Sequence, residues 1–225
     1  MYDPQPLAPT IRALRRGDRL PSALVDDLCD RRDAVDDDVR AVLPETGRRE
    51  RLTREATALA ARHDDPASRP PLFGVPVAVK DIFHVDGFVT EAGASVPPTA
   101  VTGPESTAFA RLRDAGALHF GKAHTTEFAY FAPPPTRNPN DLGHTPGGSS
   151  SGSAAAVAAG ICPLALGSQT IGSVIRPAAF CGIVGYKPSY GRIPLDGVVP
   201  FAPSVDHVGT FTADVDGSAR AAAVL

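Results

Sequence analysis

The chain has 225 residues, 43% of them hydrophobic, and 22 basic against 25 acidic side chains give a formal net charge of -3. That is enough for one large domain or two small ones with a real core, and no block of lysine or arginine offers the footprint of a nucleic-acid binder. Residues 1–19 lack the apolar core of a secretory signal and the most apolar stretch, 154–166, is too short to span a bilayer, so the chain reads as cytoplasmic with no membrane span.

Residues 1–69 carry 14 acidic and 13 basic side chains, more than half of the charge in the chain. Apolar residues recur there at helical spacing over 21–43 and 48–62, as at Leu52, Ala56, Leu59 and Ala60. The acidic run Asp36-Asp37-Asp38 reads as a solvated helix face or turn. Composition thus divides a charged helical region, 1–69, from the remainder, 70–225. After a proline-rich loop at 64–71, the valines of 74–82 predict a buried strand with Lys80 near its end. A helix at 105–115, a strand at 118–120 and a short element at 125–131 follow, and then the prolines of 133–140 require an irregular loop. An Ala-rich helix at 153–160, capped by Ser151 or Ser153 and ended by Gly160, comes next, and another helix occupies 219–225. Alternation of this kind places the chain in the α/β class.

Chemistry concentrates in three places. Only three of the 22 basic residues are lysines, Lys80, Lys122 and Lys187, and the first sits in an apolar run. A lysine loses its proton readily when buried, whereas arginine does not, so Lys80 is either a potential base or a lysine whose amine reaches solvent at the strand end. Two serine-bearing glycine segments follow, at 147–153 and 167–173. A serine hydroxyl needs a base to become a nucleophile, and here a lysine, not a histidine, is at hand. The first segment matches neither a P-loop nor a dinucleotide fingerprint. Formally it fits a Gly-x-Ser-x-Gly elbow with Ser150 as nucleophile, but the strand that an elbow needs does not precede it. Cys29, Cys162 and Cys181 are too scattered for a disulfide framework or zinc site and read as buried packing residues. The six histidines lack ligand spacing; His124 and His144, near the motifs, read as loop or core residues, and Lys122 and Lys187 as structural.

The segments 75–81, 145–160 and 172–182 together resemble the amidase signature family. The likeness covers roughly Pro70 to the C-terminus, and its Gly-Ser-Val-Ile-Arg-Pro form, 172–177, is similar to the malonamidase-type branch. Lys80 precedes Ser149 by 69 residues and Ser149 precedes Ser173 by 24, the order and separation found in the family. The resemblance implies an amidase signature fold with a mixed central sheet flanked by helices, of which only the N-terminal half is present, because family members are usually much longer. It implies Ser173 as nucleophile, Ser149 as a bridging serine after a cis peptide, Lys80 as base, and an oxyanion hole from the backbone of Thr170, Ile171 and Gly172. A glycine usually stands where this chain has Ile171, and a β-branched residue there is strained if φ is positive. Arg176 would pair with a substrate carboxylate or form a structural salt bridge. The implied activity is hydrolysis of a small-molecule amide without metal or cofactor. Two alternatives stand beside it: an inactive or partner-dependent fragment, and the amide-hydrolysing subunit of a tRNA-dependent amidotransferase. The resemblance leaves room for a homo-oligomer or a completing partner chain.

Overall fold

In the computed structural model, which describes residues 3–225, the apolar run ahead of Lys80 is an inner strand of a five-stranded sheet. This strand, β1 (Pro76–Lys80), is buried throughout and runs parallel to its neighbours β2 (Leu118–Ala123) and β3 (Leu164–Gln169). A strand covered on both faces needs no polar alternation, hence its unbroken Val and Ala positions. β4 (Val184–Tyr186) and β5 (His207–Thr212) complete the order β2-β1-β3-β5-β4, with β5 antiparallel to both β3 and β4. The result is the expected mixed α/β sheet.

Among the described residues seven helices flank it: α1 (Leu7–Arg16), α2 (Pro21–Val39), α3 (Arg48–Arg62), α4 (Thr107–Asp114), α5 (Ser151–Ala158), α6 (Ile175–Cys181) and α7 (Val215–Val224). The charged N-terminal region is not a layer apart. Leu7, Leu24 and Leu52 share one hydrophobic core with Val77, Phe120 and Phe211. The prolines at 4, 6 and 9 hid α1, although Leu7, Ile11 and Leu14 lie on one helical stripe and are buried. Its N-terminus is closed from the far end of the chain: the Asp214 carboxylate accepts from the N–H of Leu7 at 2.7 Å and from that of Gly217 at 2.6 Å. One side chain thus caps both α1 and α7.

Two local expectations need correction. Asp36 is buried, not solvated, while Asp37 and Asp38 are exposed. Its carboxylate accepts from the N–H of Ala41 at 2.6 Å, just past Arg40, whose φ of 55° stops α2 at Val39 instead of 43. The chain then turns so that Val42 bridges to Ala123 at the sheet edge. Nor does Ser151 or Ser153 cap α5: the former donates to the carbonyl of Gly147, the latter to that of Leu166, and the helix begins after Ser150. A Cβ on Gly152 would lie 2.2 Å from the Ala41 carbonyl oxygen, so this glycine lets the helix press against the sheet-edge segment. The three cysteines are buried and unpaired, and no described helix is long and apolar enough to cross a membrane.

His119 on β2 is buried between the rings of Phe88 and Phe109, 4.3 and 5.3 Å away. Neither ring nitrogen has a hydrogen-bond partner or contact with solvent. Burial holds its pKa well below the ordinary value, so the folded chain keeps it neutral while the unfolded chain protonates it as pH falls. Relief from an unsatisfied buried group is worth about 1 to 3 kcal/mol. His119→Leu should therefore raise the melting temperature by roughly 2 to 10 °C at pH 7. The gain should grow on going to pH 5, because only the wild type loses stability through this group; thermal denaturation at both pH values checks it.

Candidate active site

The parallel pairing of β1 with β3 brings two strand ends side by side, and the candidate residues gather there. Lys80 ends β1. Ser149 stands just ahead of α5, after a cis Gly148–Ser149 peptide bond. Ser173 lies in the turn between β3 and α6. The Lys80 amine is fully buried and makes two contacts, 2.7 Å to Ser149 Oγ and 2.8 Å to Ser168 Oγ.

No carboxylate forms an ion pair with Lys80 among the described residues. The other strand lysine shows the contrast. Lys122 Nζ lies 2.9 Å from Asp81 Oδ1 and donates to the Phe83 carbonyl and Thr90 Oγ1, a structural role that pins the turn after β1. Burial lowers the Lys80 pKa to about 7, and Asp206 pulls weakly the other way. A neutral amine has one lone pair and two protons, so it can accept from one serine hydroxyl while donating to the other.

Both carbonyls of the Gly148–Ser149 unit are held. That of Ser149 accepts from the N–H of Thr126 at 3.1 Å, and that of Gly148 takes Nε and Nη2 of Arg176 at 2.9 and 2.7 Å. Among the described residues Arg176 forms no ion pair; its guanidinium clamps the peptide ahead of Ser149. Ser150 is wholly buried, donating to the Ser168 carbonyl at 3.1 Å and accepting from the Ser168 N–H at 3.3 Å. A hydroxyl built into β3 in this way is no exposed nucleophile, and the elbow reading falls.

Ser173 is nearly buried, and its hydroxyl makes no hydrogen bond within the described residues. The structure joins Lys80 to Ser149 but does not bond Ser149 to Ser173. In the loop before Ser173, the N–H groups of Ile171, Gly172 and Ser173 are not used in backbone hydrogen bonds. Outside glycine, positive φ occurs at Arg40, Ala92, Phe128 and Ala129, so Ile171 escapes the strain a left-handed position would impose. Its side chain points to solvent, 77% exposed. The N–H of Thr170 is equally unused, and its hydroxyl bonds Asp206. A cavity of about 280 Å³ opens alongside, bounded by Ser168, Thr170 and Asp206 and by the apolar Ile82, Val199 and Phe201.

Sequence reasoning missed Ser168, although it sits inside the second glycine segment; only the register Val79↔Leu166 carries it to the lysine. It also missed Asp206, whose carboxylate further accepts from the N–H groups of Phe201 and Ala202 and so anchors the cavity wall. His144 pairs with Asp141, and neither it nor His124 is bonded to Lys80, Ser149 or Ser173. Among the described residues no group of three or more His, Cys, Asp or Glu side chains could hold a metal ion.

The chain belongs to the amidase family, whose sequence profile, described as Amidase, matches residues 23–225. It is 42% identical over 227 residues to a glutamyl-tRNA(Gln) amidotransferase subunit from Oleidesulfovibrio alaskensis, an alignment covering 98% of this chain and 46% of that one. Among solved structures it resembles an amidase at 39% identity with a TM-score of 0.87, covering 98% of this chain and 51% of the other. It also resembles the native peptide amidase of Stenotrophomonas maltophilia, at 30% identity with a TM-score of 0.88, over 98% and 47%. The chain spans about half the length of the curated relatives it matches.

Because only the neutral amine can take a proton, any serine reactivity driven by Lys80 should rise with pH along one ionisation near 7 and level off above it. Rates of phosphonylation by a fluorophosphonate over pH 5.5 to 9 (a range of about two units either side) test this. A profile flat between those limits would exclude Lys80 as the base, and Lys80→Arg, permanently charged, should be unreactive throughout.

Proposed function

We propose that this chain carries the catalytic machinery of an amidase that cleaves a carboxamide C–N bond through an acyl-enzyme on Ser173. The observation that carries the reading is the buried, carboxylate-free Lys80 amine in contact with Ser149. In the free enzyme the gap between Ser149 and Ser173 closes when substrate orders the site, since catalytic hydrogen bonds commonly tighten only in the Michaelis complex.

Ser173 Oγ attacks the amide carbonyl carbon while its proton passes to Ser149 Oγ, and the Ser149 proton passes to neutral Lys80. Negative charge gathers on the carbonyl oxygen, toward the free N–H groups of Thr170, Ile171, Gly172 and Ser173; each well-placed donor of this kind contributes about 2.7 to 4 kcal/mol. The C–N bond breaks as the relayed proton returns through Ser149 to the leaving nitrogen, releasing ammonia or an amine. Water, deprotonated along the same path, then cleaves the ester and frees the acid and Ser173. Neither a metal nor an organic cofactor enters any of these steps. Arg176 uses Nε and Nη2 on Gly148 and has Nη1 left for a substrate carboxylate.

A second reading is supported by the relatives. The 42% identity to the glutamyl-tRNA(Gln) amidotransferase subunit from Oleidesulfovibrio alaskensis favours an amide-hydrolysing component that works with partner chains on a glutamine amide. The three buried thiols accord with a cytoplasmic setting.

Treatment with a fluorophosphonate followed by peptide mapping should place the adduct on Ser173. An adduct on Ser150 would overturn the assignment. Ser173→Ala and Lys80→Ala should each lower amide hydrolysis by about ten-thousandfold or more, and glutaminase activity that appears only with added partner subunits would select the second reading.

A further inference from the structure

We propose that the Ile171 side chain is a specificity-determining contact for the leaving amine, and that the chain takes secondary amides whose nitrogen bears an uncharged apolar group. The inference rests on the acyl-enzyme reading above and names the substrate class of that site. Ile171 stands two residues before Ser173 and is more exposed than any other large apolar side chain among the described residues. Ile175, two residues after Ser173, is exposed as well. A lone isoleucine on a surface is ordinary. Here a pair of them brackets the nucleophile, and the one at 171 sits in a turn, where β-branched residues have no conformational advantage, and buries almost nothing for the fold.

The turn limits what Ile171 can touch. Its root is fixed: the buried Val174 lies against Gly185 of β4 and Gly209 of β5, so close that a Cβ on either glycine would crowd it. Its N–H groups at Thr170, Ile171, Gly172 and Ser173 are all free for a carbonyl oxygen. Such an oxygen lies about 3 Å from the nitrogens that bind it, and a residue's Cβ lies about 2.5 Å from its own nitrogen. The Ile171 methyl groups are therefore within contact reach of a substituent on the scissile amide. The approach over Gly172 is open, since a Cβ there would meet only Arg176 Cβ, at 3.7 Å.

The two substituents of the amide meet different surroundings. The apolar cavity beside Ser168, Thr170 and Asp206 has no wall from Ile171 and receives the acyl group. Ser149, which returns the proton to the leaving nitrogen, adjoins the opposite flank: the carbonyl of the preceding Gly148 is held by Arg176, whose own N–H binds the Gly172 carbonyl. The leaving nitrogen thus faces Ile171, Gly172 and the start of α6. Arg176 is the one charged side chain of residues 170–176, and its positive charge disfavours a second amine on the leaving group.

The test is amine release from N-methylbenzamide and N-butylbenzamide, which share an acyl group and lose amines of similar basicity. In the wild type kcat/KM should be at least about fivefold higher for the butyl amide. Ile171→Gly should bring that ratio to within about twofold of one, whereas Ile171→Val, still branched and apolar, should keep at least about half of it. A change in turn flexibility slows both amides alike, so the ratio reports contact. The acyl preference, read from N-methylacetamide against N-methylbenzamide, should move by less than about twofold in Ile171→Gly. A smaller wild-type ratio, a ratio that survives Ile171→Gly, or a larger shift in the acyl preference overturns the proposal. Fluorophosphonate labelling alongside separates the two readings. A wild type labelled on Ser173 that releases amine from neither benzamide overturns this inference alone; an unlabelled wild type overturns the Ser173 reading and this inference with it.

Discussion

An amine buried at the end of a parallel strand without a carboxylate is the constraint on which the site depends. Burial of a charge is expensive, and the chain meets that expense by lowering the Lys80 pKa to about 7 rather than by pairing it. Lys122, one strand away, shows the other solution, with Asp81 beside it. The two lysines differ in their partners, not in their burial, and that difference separates an amine bonded to hydroxyls alone from one paired with a carboxylate.

Keeping such an amine dry requires neighbours that are polar enough to bond it yet carry no charge. Ser149 and Ser168 meet that requirement from separate segments, and Ser150 and Ser153 sew α5 onto β3 behind them. The wholly buried α5 is what seals the amine, and Gly152 permits it to sit that close. Charge is kept at the margin: Asp206 is tied by Thr170 and by two backbone N–H groups, so its influence on Lys80 is long-range only.

What the sequence disclosed follows from this division. Lys80, Ser149 and Ser173 were legible because a rare lysine in an apolar run and two serine-bearing glycine segments match the amidase motifs in order and separation, and β1 because full burial writes an unbroken apolar run. Ser168 and Asp206 were not, since serine and aspartate are ordinary in loops and strand ends, and their meaning arises only from register and turn geometry. β4 escaped for a different reason: it is three residues long and half-buried, too short for either periodicity to show. Asp36 misled because an acidic run reads as solvent-facing, while the left-handed turn at Arg40 that draws its carboxylate inward has no signature in composition.

The shared cap at Asp214 has a consequence for how the chain acquires this structure. Leu7 lies 207 residues from the carboxylate that receives its N–H, so the contact is among the most non-local in the molecule. A ribosome makes α1 before residue 214, so the group that satisfies its leading amides does not exist when the helix emerges. Until then α1 is held by its buried stripe of Leu7, Ile11 and Leu14 alone, and the two helices gain their caps in one event.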